Sequence, residues 1–116
     1  MENKRKIGSE KEEMAKAFLM LQGVRVRDRN YYFPGGEIDL IAQDGEYLCF
    51  IEVKYRKSRA YGYPEEAVTP AKQEKIIWGA KHYMLKNRIF PDVPCRFDVI
   101  SIYDNEINWI KDAFTL

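Results

Sequence analysis

Histidine and cysteine are scarce in this 116-residue chain, which has one histidine, His82, and two cysteines, Cys49 and Cys95. The cysteines lie far apart, without the spacing of a zinc site or a redox pair, so they read as free thiols of a reducing compartment and as small buried hydrophobes. His82 sits mid-helix by pattern and lacks an acidic or cysteine partner at ligand spacing, which assigns it to surface or packing. No apolar run approaches the roughly 18 residues of a membrane span, and the charged start Met1 to Lys6 has no apolar stretch behind it. A cytoplasmic protein away from membranes is the expectation. Excess charge is missing too: a net charge of +1 makes no global electrostatic case for nucleic acid. Internal repeats and low-complexity segments are also missing.

What is present is one domain's worth of apolar residues, 46% of the chain, and one domain over residues 1–116 is expected. Positive charge is concentrated in the middle, with nine Lys and Arg against three Asp and Glu in residues 54–88. Helical spacing of Met14, Ala15, Phe18, Leu19 and Gln22 predicts a first helix, with Ser9 as N-cap and Gly23 as stop. Alternation over residues 24–33 predicts a half-buried strand ended by Pro34-Gly35-Gly36. Two apolar runs, 37–42 and 47–55, flank an Asp44-Gly45 centre, the preferred composition of a two-residue hairpin turn. Residues 56–66 read as a loop. Thr69-Pro70 then supplies an N-cap and first-turn proline for a second helix faced by Gln73, Ile76, Ile77, Ala80, Tyr83 and Met84 and ending near Asn87. A strand over 95–103 follows, with a partner over 106–110. The order helix, three strands, helix, strand specifies an α/β class with a mixed central sheet flanked by helices.

The hairpin carries the chemistry. With Asp44-Gly45 at its centre, Glu37 lies opposite Glu52, Asp39 opposite Phe50 and Ile41 opposite Leu48, and alternation sends Glu37, Asp39, Phe50, Glu52 and Lys54 to one face. Asp39 and Glu52 become diagonal neighbours roughly 7 Å apart, a gap one hard divalent cation bridges. Crowded carboxylates on a half-buried face need such a counter-ion, Mg²⁺ or Mn²⁺, beyond what Lys54 supplies. An ordinary ion-pair ladder on a solvated face is the competing reading. Apolar flanks on both strands argue for a central, buried position instead.

An aspartate on one strand followed by Glu52-Val53-Lys54 on the next resembles the PD-(D/E)-x-K nuclease superfamily. Four blocks sharpen the likeness: GEIDLIA at 36–42, FIEVKYR at 50–56, AVTPAKQ at 67–73 and RFDVI at 96–100. Together they resemble the bacterial YraN-like family of candidate endonucleases, over nearly the whole chain. That resemblance implies a restriction-endonuclease-like core, similar in arrangement to Holliday junction resolvases, hydrolysing DNA phosphodiesters with Mg²⁺ or Mn²⁺. It further implies Asp39, Glu52, the Val53 carbonyl and Glu12 as metal ligands, and Lys54 as the group that orients or deprotonates the attacking water. Glu37 and Gln73 fall at the site's edge. Lys11 stands where the family usually has glycine. A homodimer is implied by fold analogy alone.

Glu12 has a second reading, since Ser9 to Glu12 is also a capping box. Taken alone, the basic and aromatic run after Lys54 reads as a solvated loop. Its place at the end of the Lys54 strand makes Arg56, Lys57, Arg59 and Tyr61, with Lys72, candidates for phosphate and base contacts. The function expected is a metal-dependent endonuclease acting on DNA, including branched or junction DNA. The rivals are a nucleic-acid-binding module with little hydrolysis and a structural or protein-interaction domain.

Overall fold

The computed structural model describes residues 4–56 and 68–115, with side chains over residues 8–55 and 68–115. Among the described residues seven elements follow in chain order: α1 (Lys4–Leu21), β1 (Arg25–Phe33), β2 (Gly36–Asp44), β3 (Tyr47–Arg56), α2 (Pro70–Lys86), β4 (Cys95–Tyr103) and β5 (Glu106–Phe114). The strands form one sheet in the order β1-β2-β3-β4-β5. β3 and β4 run parallel; the other neighbours are antiparallel. A parallel pair needs a long crossover, and α2 lies within it.

One helix covers each face. Ala15 and Leu19 of α1 pack with Leu40, Ala42, Cys49, Ile51, Ile100 and Ile102, whereas Ile76, Ala80 and Tyr83 of α2 pack with Ile38, Ile41, Phe50 and Phe97. Residues of both sets occur along β2, β3 and β4, which explains why those strands read as continuous apolar runs rather than as alternating ones. The result is a mixed α/β sandwich, consistent with a restriction-endonuclease-like core.

Local chemistry sets the helix ends. Thr69 Oγ1 accepts the Lys72 N–H at 3.2 Å, with Pro70 at the first helical position, so the predicted start of α2 is where it was expected. α1 closes with the Gly23 N–H on the Met20 carbonyl and the Val24 N–H on the Leu19 carbonyl, the paired bonds of a Schellman motif. In mid-α2, Gly79 lets the helix approach Phe33, because a Cβ there would stand 2.4 Å from the ring.

Four expectations are corrected. α1 begins at Lys4, not after Ser9, so Ser9 lies inside the helix and its amide belongs to the backbone ladder; no capping box holds Glu12. The β2–β3 turn is Gly45-Glu46, because Asp44 pairs with Tyr47 as a ladder member and its carboxylate accepts from Arg96 Nη2 at 2.8 Å. Gly45 at φ 58° in the first loop position suits that turn. The register is therefore Ile41↔Phe50 and Leu40↔Ile51, two residues from the expected one. β5 runs on to Phe114, past Ile110, because Asp112 at φ 55° is accommodated by its N–H bond to Asp98 Oδ1 at 2.9 Å.

The fourth correction concerns faces. Ile38 packs beneath α2 and Leu40 beneath α1, so the simple alternation expected of β2 breaks at Asp39. Across from it β1 breaks as well: Asn30, at φ 51°, lies between the pairs Arg29↔Leu40 and Tyr31↔Ile38. Glu37, Asp39 and Glu52 do not share one face.

Candidate metal centre

Asp39 stands where the sheet forks. The regular pairing of β2 with β3 stops at Leu40↔Ile51, and beyond it Asp39 Oδ2 accepts the Val53 N–H at 2.8 Å. A side chain thus replaces a backbone carbonyl, opening the sheet next to two conspicuous acidic groups.

On the α1 side, Glu12, Glu37 and Asp39 each offer a carboxylate oxygen within 4.8 Å of the others, a group able to hold a metal ion. Asn30 Nδ2 braces it, donating to Glu12 Oε2 at 2.8 Å and Glu37 Oε1 at 3.0 Å. Asparagine tolerates the left-handed backbone that aims its amide there. A cleft of about 540 Å³, lined by Ser9, Glu12, Asn30, Tyr32 and Glu37 among others, gives access.

On the α2 side, Glu52 is buried with 7% of its surface exposed, and its Oε1 lies 2.9 Å from Lys72 Nζ and 3.6 Å from Lys54 Nζ. A second cleft of about 290 Å³ runs between Gly35-Gly36 and the first turns of α2, lined by Glu37, Lys72 and Lys75 among others. Glu37 borders both clefts.

The electrostatics show where charge is uncompensated. Burial pushes the Asp39 carboxyl up to about 7, helped by the charge of Glu52 and then of Glu12 and Glu37, against the opposing Val53 N–H. Burial lowers Lys54, and the neighbouring Lys72 lowers it further. For Lys72 burial also acts downward, but its contacts with Lys54 and Glu52 outweigh it and leave this ammonium raised. Hard oxygen donors with excess negative charge suit a hard divalent cation in donor type.

The sequence-predicted residues meet here in part. Asp39, Glu52, Lys54 and Glu12 converge, while Val53 enters through its amide N–H. Glu37, expected at the edge, belongs to the acidic triad, and Lys72, expected on a DNA surface, grips Glu52. Gln73 fastens the start of α2, its side-chain amide donating to the Val68 carbonyl at 3.1 Å. Arg56 ends β3, with its side chain outside the description; Lys57, Arg59 and Tyr61 lie outside the described residues. Asn30 was missed, because an asparagine within VRVRDRNYYF signals nothing until the backbone turns at that point. His82 accepts or donates in a 2.7 Å bond between its Nδ1 and Tyr31 Oη, in keeping with packing. Cys49 is buried and Cys95 half-buried; both are free.

Residues 11–102, which include every residue of this centre, match the model of the uncharacterised protein family UPF0102. The chain belongs to that family. A UPF0102 protein of Saccharophagus degradans is 45% identical, over 94% of this chain and 92% of its own. One from Lachnoclostridium phytofermentans is 46% identical, over 97% and 95%, and one from Vibrio parahaemolyticus 44%, over 97% and 95%. The match runs from within α1 through β1, β2, β3 and α2 into β4, so the fork at Asp39 lies inside the shared fold.

Proposed function

We propose that this chain is a divalent-cation-dependent nuclease of the PD-(D/E)-x-K type that hydrolyses DNA phosphodiesters, with branched or junction DNA among its substrates. The observation that carries the reading is Asp39, a partly buried carboxylate fixed by the Val53 N–H at a break in the sheet and surrounded by Glu12, Glu37 and Glu52. Structural ion-pair ladders balance their charges. This one leaves a carboxyl raised to about 7, which a bound cation relieves.

Asp39, Glu12, Glu37 and Glu52 would hold the cation, with the Val53 carbonyl as a further oxygen. Mg²⁺ or Mn²⁺ supplies Lewis-acid stabilisation of phosphoryl charge and a more acidic water. Lys54, held between Glu52 and the interior, orients the attacking water and the phosphate oxygen beside it. Lys72, with the segment bearing Arg56, Lys57, Arg59 and Tyr61, offers cations and a ring to the flanking backbone and bases.

The decisive experiment is a panel of linear and branched DNAs incubated with Mg²⁺ or Mn²⁺, comparing the native chain with Asp39→Ala and Lys54→Ala. Cleavage by the native chain should fall at least ~100-fold in both variants, with the thermal melt of Lys54→Ala close to native. Undiminished cleavage by Asp39→Ala would trace the activity to a contaminant and defeat the reading. A module that binds without cutting is the second reading, favoured by the lysine clasp on Glu52, which withholds that carboxylate. It predicts DNA retention without products at every cation concentration.

A further inference from the structure

Glu52 is the most deeply buried carboxylate of the centre, and an uncompensated charge there is strongly unfavourable. Among the described residues two ammonium groups offset it, and they are not equivalent. Lys54 projects from the C-terminal end of the central strand β3 with its side chain 15% exposed, 3.6 Å from Glu52 Oε1. Lys72 reaches the same oxygen at the shorter distance of 2.9 Å from the first turn of α2, yet its side chain is 37% exposed at the lip of the α2-side cleft. Lys54 is walled in, whereas Lys72 borders solvent.

The position of Lys72 is also unfavourable for a helix. The first turn of α2 holds no acidic residue, and an ammonium there opposes the helix dipole. A local rule broken without local benefit points to a gain elsewhere, and among the described residues Lys72 finds its carboxylate partner in Glu52. We propose that Lys72 is the resident counter-ion of Glu52, competing with a divalent cation for Oε1 and displaced into the neighbouring cleft when the cation binds. This rests on the metal-site reading above and adds to it a built-in competitor that lowers cation affinity. The displaced ammonium remains beside Lys75, where the cleft is lined by both lysines and by the Gly35-Gly36 turn. It is thereby presented to a backbone phosphate only after the metal is in place.

The test is Mn²⁺ binding to the full chain without DNA, read from the electron paramagnetic resonance of free Mn²⁺. Lys72→Met keeps the methylene stem and removes the charge, and should tighten Mn²⁺ binding roughly fivefold, the equivalent of a partly exposed ion pair. Lys72→Arg should restore native affinity. Lys75→Met, on the same helix and cleft, controls for loss of a nearby positive charge and should change affinity less than about twofold. In the Glu52→Gln background the Lys72→Met gain should vanish, because the contested oxygen has lost its charge. Melting gives a second reading: Lys72→Met should unfold at lower temperature than the native chain in EDTA, and the gap should close in saturating Mn²⁺.

Damage to the start of α2 would weaken Mn²⁺ binding, so the sign of the change separates competition from misfolding. Equal or weaker binding by Lys72→Met, or an equal gain from Lys75→Met, would overturn the inference while leaving the metal site standing. Absence of Mn²⁺ binding in native chain and variants alike would overturn the metal-site reading and this inference with it.

Discussion

Asp39 concentrates most of the centre's electrostatic tension in one carboxyl group. Its folded value of about 7 lies above the ordinary aspartate range near 4, so between those pH values the folded chain keeps a proton that the unfolded chain has released. Stability in EDTA is therefore fully present below pH ~4 and falls as pH rises through ~7. Asp39→Asn keeps an oxygen for the Val53 N–H and removes the titration. It should flatten this part of the profile and exceed the native chain by about 1–3 kcal/mol at pH 8. Urea unfolding at pH 5 and pH 8 measures it, and parallel profiles for the two proteins would show that the carboxyl is not strained. Asn30 explains how its neighbours are held: one amide bridges Glu12 and Glu37, so two acids from different elements keep a fixed separation before any cation arrives.

Strand and helix ends carry stabilising devices remote from the centre. Asp98 is completely buried in β4 and accepts from Arg96 Nε, Arg96 Nη2, Trp109 Nε1 and the Asp112 N–H, each at 2.9 Å. The same arginine reaches Asp44, so β2, β4 and β5 are tied through the Arg96–Asp98 pair. Asp98→Ala strips a buried charge of its main partner and should cost about 3–5 kcal/mol, seen as a lower urea midpoint. A loss under ~1 kcal/mol would mean that Arg96 re-pairs fully with Asp44. At the end of α2 the Arg88 N–H bonds the Leu85 carbonyl and the Ile89 N–H the Met84 carbonyl, a Schellman closure with Arg88 at φ 55°. A side chain in that conformation costs about 1 kcal/mol, so Arg88→Gly should raise stability by a similar amount in equilibrium unfolding. A decrease would show that the arginine side chain contributes more than its backbone strain costs.

Across the whole molecule, the site exists because two half-sites on opposite faces of the sheet meet at one fork. α1 brings Glu12 to one side and α2 brings Lys72 to the other, with β2 and β3 between them. A cation joining these parts should hold the sheet and both helices together. At 100 times its dissociation constant it stabilises by about 2.7 kcal/mol, a rise in melting temperature of roughly 10 °C for a domain of this size. Calorimetry in Mn²⁺ against EDTA checks this, and superimposed melts would argue against a metal centre. Among the described residues no helix is long and apolar enough to cross a membrane.

Much was already legible in local pattern. Apolar periodicity specified both helices and the strands, Thr69-Pro70 located the start of α2, and Glu52-Val53-Lys54 after Asp39 named the central residues, because such signals act between neighbours in the chain. Register, faces and partners were decided by tertiary structure. Whether Asp44 enters the turn depends on Arg96, 52 residues away, and whether Glu37 joins Glu12 depends on Asn30 in another strand. Lys72 meets Glu52 only because α2 packs across β3. Periodicity gives the spacing of side chains along one element. It carries no information about the bulge, twist or distant charge that selects which of them come into contact.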